Sequence, residues 1–81
     1  MSHEKYDITA AQCRAARALL GWSQGELASE SGVGVSTIRT FEPGRTMPIR
    51  ANLAALRTTL ETAGVEFIPE NGGGPGVRLR K

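Results

Sequence analysis

Cysteine and histidine are nearly missing from this chain: its 81 residues hold one of each, Cys13 and His3. A single cysteine cannot close an internal disulfide, so a reducing, cytoplasmic setting is the expectation. A single histidine in a polar terminal stretch supplies neither a histidine-dependent triad nor a multi-histidine metal site, and no enzyme or cofactor is expected. Long apolar runs are also missing. None approaches the ~20 residues of a membrane span, and the opening Met-Ser-His-Glu-Lys-Tyr-Asp carries no signal-peptide core. Nothing here calls for a membrane. The net charge is only +2, which by itself does not point to nucleic acid.

What is present is an ordinary globular balance, 40% apolar and 22% charged,. The length suits one small domain, and such a domain buries only about 60% of its unfolded surface, so good helix caps or association must support it. Charge is informative by position. Residues 21–33 carry Glu26 and Glu30 and nothing basic, whereas 34–60 carry Arg39, Arg45, Arg50 and Arg57 against Glu42 alone. Acid returns with Glu61, Glu66 and Glu70, and the tail ends in Arg78, Arg80 and Lys81. A basic middle segment fits one positive face on a nearly neutral protein; ordinary solvated charge is the alternative until a motif falls on it.

The helix boundaries are legible. Thr9 and Gln12 form a capping box with Ile8 and Cys13 as its hydrophobic staple, predicting a helix from Ala10 to Leu20 that stops at Gly21. Ser23 and Glu26 repeat the device with Trp22 and Leu27, for a helix from Gln24 to about Ser31 ended by Gly32. A third helix runs about Val35 to Glu42, until Pro43-Gly44 breaks it. Ile38 and Phe41 share one face of it, with Ser36, Arg39 and Thr40 pointing elsewhere. A fourth, about Ile49 to Ala63, shows Ile49, Leu53, Leu56 and Leu60 in 4-3-4 spacing, with Arg50 and Arg57 off the stripe. Beyond Gly64 the period becomes two, placing Val65 with Phe67 and Val77 with Leu79. The glycine-rich stretch 69–76 between them reads as a loop, and lacks the Gly-Lys-Ser/Thr of a phosphate loop. A lone hairpin is marginal in water, so it must pack on the helices or pair with a second chain. Trp22, Ile38, Phe41, Leu53, Leu56 and Leu60 are the expected core, Cys13 a small core residue, and Glu66 and Glu70 solvated.

Two short helices joined by a glycine-centred turn, the second polar on its outer face, describe a helix-turn-helix. Ala28 is small where the helices cross, and Gly32 supplies the positive φ of the turn. At these residues the chain resembles the Xre/Cro-type regulators that include the lambdoid phage repressors. The resemblance covers about Cys13 to Leu60. It rests on Arg17, Gly21-Trp22-Ser23-Gln24, Glu26-Leu27-Ala28, Ser31-Gly32-Val33, Ser36-Thr37-Ile38, Phe41-Glu42, Gly44-Arg45, Pro48, Leu53, Leu56 and Leu60. It implies an all-helical, lambda-repressor-like bundle of four helices with a recognition helix over 35–42 in the major groove of double-stranded DNA. The short C-terminal β-hairpin read from the period lies outside the family's common pattern, and the expected fold class is mainly α.

The resemblance also implies roles. Val35, Ser36, Thr37, Arg39 and Thr40 fall at base-reading positions, and Gln24, Arg45, Thr46 and Arg50 at positions that touch phosphate. Arg17 and Glu42 match a buried ion pair. Gly34 departs from the family where a capping serine or threonine is usual, and Val35 can meet a thymine methyl but cannot hydrogen-bond a base edge. Arg39 can reach a guanine edge or a phosphate. The expected organisation is a flexible tail over 1–7, a helix-turn-helix DNA-binding domain over 8–64 and a hairpin over 65–81. The expected function is transcriptional repression by a homodimer on a palindromic operator, with Phe67, Ile68, Val77 and Leu79 at the dimer contact. The alternatives are an antitoxin whose C-terminal segment binds a toxin, and an interaction module that kept the fold without binding DNA.

Overall fold

Two consecutive capping boxes organise the first half of the molecule, whose computed structural model describes residues 8–80. The tail expected over 1–7 lies outside the described residues, as does Lys81. The Thr9 hydroxyl accepts the Gln12 N–H at 3.0 Å, and the Gln12 side chain accepts the Thr9 N–H at 2.9 Å. Helix α1 follows from Ala10 to Leu20 and closes at Gly21 with φ 71°. Ser23 and Glu26 exchange the same two bonds at 3.0 and 2.7 Å, opening α2 over Gln24–Ser31. Gly32 then turns the chain at φ 78°, a left-handed conformation that costs any other residue type about 1–2 kcal/mol,.

Helix α3 spans Val35–Phe41 and its cap residue, Gly34, contributes no side-chain bond. It ends one residue before the sequence reading, with Glu42 as the C-cap. Helix α4 spans Arg50–Thr62. Ile49 was expected on its apolar stripe but is the N-cap instead, extended at ψ 158° and 69% exposed. The 4-3-4 spacing fits a helix, yet Ile49 precedes the first helical turn, so its side chain does not follow the helical period. The working stripe is Leu53, Leu56 and Leu60, all buried.

Strands β1 (Val65–Ile68) and β2 (Gly76–Leu79) pair antiparallel, Val65 opposite Leu79 and Phe67 opposite Val77. The core gathers Cys13 and Ala16 from α1, Leu27, Val33, Ile38 and Phe41 from the helix-turn-helix, the α4 stripe, and Val65 and Phe67. Trp22, expected in the core, is only half-buried against its margin. Phe67, expected at a dimer contact, is buried, with the Arg57 guanidinium 5.3 Å from its ring centre. Nor are the two outer glutamates merely solvated. Glu66 receives two hydrogen bonds from Arg78, which hold its carboxyl below the usual range, and Glu70 accepts the N–H groups of Gly72 and Gly74. Among the described residues no helix is long and apolar enough to cross a membrane.

Gln12 joins the two halves. While its oxygen completes the cap of α1, its amide nitrogen donates to the carbonyls of Ile68 at 3.3 Å and Gly76 at 3.0 Å, where the hairpin opens into its loop. Gln12→Glu keeps the cap acceptor but turns a carboxylate toward two carbonyls. It is expected to destabilise the protein by about 1–3 kcal/mol, read from the urea midpoint, whereas a residue that served only as a cap would tolerate the change.

Candidate nucleic-acid interface

At the end of α3 a carboxylate is carried into the protein. Glu42 is 1% exposed, and ionising there without partners would be costly,. Four hydrogen bonds replace its water. Arg17 grips it from the side, Nε to Oε2 at 2.8 Å and Nη2 to Oε1 at 2.6 Å. Gln24 donates to Oε1 at 3.0 Å and the Cys13 thiol to Oε2 at 3.2 Å. Burial opposes the charge, but the bonds from Arg17, Gln24 and Cys13, with the arginine's field, hold the carboxyl below the usual glutamate range. Burial and the neighbouring carboxylate push the Cys13 thiol far up, so it stays a protonated donor. Arg17 also donates to the Trp22 carbonyl at 2.9 Å, and Arg14 to the Glu42 carbonyl. One acidic side chain thus ties α1, the turn after it, the first residue of α2 and the end of α3.

With Ile38 and Phe41 anchored below, α3 turns Ser36 and Arg39 outward, while Val35, Thr37 and Thr40 lie half-buried on its flanks. Thr40 does something its sequence position did not reveal. Its hydroxyl lies 3.3 and 3.2 Å from the carbonyls of Ser36 and Thr37 and 2.9 Å from the Thr46 hydroxyl. Its own carbonyl accepts the N–H groups of Arg45 and Thr46. Thr40 therefore folds the following loop back onto the helix, and a base edge would compete with these partners. Gln24 likewise spends its amide nitrogen on Glu42, and among the described residues its side-chain oxygen takes no hydrogen bond.

The arginines divide in two. Arg14, Arg17, Arg57, Arg78 and Arg80 all hold protein partners. Among the described residues Arg39, Arg45 and Arg50 have none, and all three are exposed. They come from α3, the loop after it and the first residue of α4. A guanidinium is planar, permanently charged and matched in geometry to phosphate oxygens and to guanine. Among the described residues no carboxylate neutralises these three. A family model described as helix-turn-helix matches residues 14–66. No curated protein matches the chain.

Arg17→Ala is expected to cost about 3–5 kcal/mol in denaturant unfolding, because it strands a buried carboxylate. The pH dependence has a definite sign. Glu42 has a lowered value when folded, so its contribution is present above its ordinary value of 4.5 and is lost as pH falls through the folded one,. Glu42→Gln should be less stable at about pH 7 and lose stability less steeply toward about pH 3, which urea titrations at the two pH values compare.

Proposed function

We propose that this chain, which belongs to the Xre/Cro-type helix-turn-helix family, is a repressor that binds a palindromic operator as a homodimer. In this reading α3 lies in the major groove, with Ser36 and Arg39 toward base edges and the Val35 methyls suited to a thymine. Arg45 and Arg50 meet the phosphates on one side. On the other, the α2 N-terminus at Gln24 offers unpaired N–H groups and a positive dipole end to a further phosphate. Thr46 holds the loop through Thr40. The observation that supports the reading is that, among the described residues, Arg39 on α3, Arg45 in the loop after it and Arg50 at the start of α4 are without partners. An intramolecular role would have given them acceptors, as it has the other five.

One such module makes few base contacts, so two copies on half-sites about 34–36 Å apart are needed for useful specificity. Repression follows from occupying promoter DNA. Arg45→Ala should weaken binding to every duplex alike and lower the slope of log affinity against log salt by about 0.9. Arg39→Ala should instead cost about 1–3 kcal/mol on the preferred site and relax preference at one base pair. Salt titrations of both variants on preferred and scrambled duplexes compare these. An Arg39→Ala protein that binds all duplexes as well as the parent would refute the base-reading role.

A further inference from the structure

The hairpin has one covered edge and one open edge. Arg80 donates its N–H to the Gly64 carbonyl at 2.7 Å, and this pair lies on the register that sets Val65 opposite Leu79. Hydrogen-bonded pairs alternate along an antiparallel ladder, so Glu66–Arg78 and Ile68–Gly76 are bonded pairs too. The backbone N–H and C=O groups of Val65 and Phe67 therefore point away from β2, and those of Val77 and Leu79 away from β1. On the β1 side these groups are closed off, since Val65 is 0% and Phe67 7% exposed. On the β2 side Val77 is half-buried and Leu79 is 48% exposed, and no hydrogen bond engages their backbone groups among the described residues.

We infer that the outer edge of β2 pairs with the same edge of a second copy, antiparallel about a two-fold axis at Arg78. This deepens the homodimer proposed above and rests on it. The register follows from the edge itself. Centring the axis on Arg78 sets Val77 opposite the other copy's Leu79, so both N–H groups and both carbonyls of each edge find partners. Shifting the axis to Val77 would set Leu79 opposite Pro75, which has no N–H to give. Shifting it to Leu79 would leave Val77 beyond the last paired residues of the strand. The Arg78-centred sheet has four strands, and it covers the exposed Leu79 side chain with a valine.

Charge permits this. Two arginines meeting at an axis would repel, and edge charges commonly guard sheets against such pairing. Here each Arg78 brings its own counter-ion, held at 3.0 and 3.2 Å by Glu66 on the neighbouring strand. At the axis each Arg78 is thus already neutralised within its own copy, while the flanking Arg80 guanidinium is turned to the Glu61 carbonyl.

The axis gives a sharp test. At a non-hydrogen-bonded pair the Cα atoms are about 4.5 Å apart, inside the range a disulfide spans. Arg78→Cys in the full chain should form an intermolecular disulfide under oxidised glutathione, seen as a dimer on a non-reducing gel. Glu66→Cys lies one strand farther out on each side, about 14 Å from its mate, and should stay monomeric there. Leu79→Pro removes two of the four intermolecular hydrogen bonds without touching the β1–β2 ladder, and should weaken self-association in sedimentation by about tenfold or more. The inference is overturned if Arg78→Cys does not cross-link, if Glu66→Cys cross-links equally, or if Leu79→Pro sediments as the parent does. DNA binding by the same proteins is a separate readout: selective binding without the cross-link leaves the operator reading standing and removes only this interface.

Discussion

The Glu42 carboxylate has given up nearly all of its water, and the binding surface is placed by what took the water's place. A lone buried carboxylate would protonate or unfold its surroundings. Glu42 stays charged because Arg17, Gln24 and Cys13 converge on its two oxygens. Those donors belong to α1 and α2, while the carboxylate belongs to the end of α3. Satisfying one charge therefore fixes the orientation of three helices. The same arginine also reaches the Trp22 carbonyl, which holds the turn between α1 and α2. In so small a domain such a constraint matters, because the apolar core alone leaves little margin.

A second theme is the separation of structural from unsatisfied charge. Arg17 is sunk against Glu42, Arg57 lies over Phe67 and bonds Glu61, and Arg78 faces Glu66. Arg39, Arg45 and Arg50 are left outward from the segment that follows the turn. The weak N-terminus of α3 at Gly34 belongs to the same segment. Little of this helix's stability is local, so its position depends on Ile38 and Phe41 below and on Glu42 and the Thr40–Thr46 contact at its far end. A short helix clamped mainly at one end can present Ser36 and Arg39 without a strong cap.

Much of this was legible along the chain because it is encoded locally. Thr9 with Gln12 and Ser23 with Glu26 announce their helices within four residues, and Gly21 and Gly32 end them by a conformation other residues avoid. The change of period after Gly64 marks the hairpin just as directly. What escaped is encoded by residues far apart. Nothing near Gln12 indicates that it also holds Ile68 and Gly76, and nothing near Thr40 indicates a partner at Thr46. Ile49 misled because spacing cannot tell a helical residue from a cap. Phe67 was expected at a dimer contact, but the alternation that puts it on one face with Val65 does not say that the helices cover that face. The ion pair of Arg17 and Glu42 came from family resemblance rather than from the residues, and the further donors on Glu42 from neither.

The proposal that rests on all of this is that the outward face of α3 reads base pairs. The most direct measurement is selection of bound duplexes from a random DNA pool by the full-length chain, followed by sequencing. The expected result is enrichment of an inverted repeat whose half-site centres lie about one helical turn, 10–10.5 base pairs, or a multiple of it apart. A pool that remains random after rounds in which the protein visibly retains DNA would contradict it, leaving a positively charged surface that holds phosphate and reads nothing.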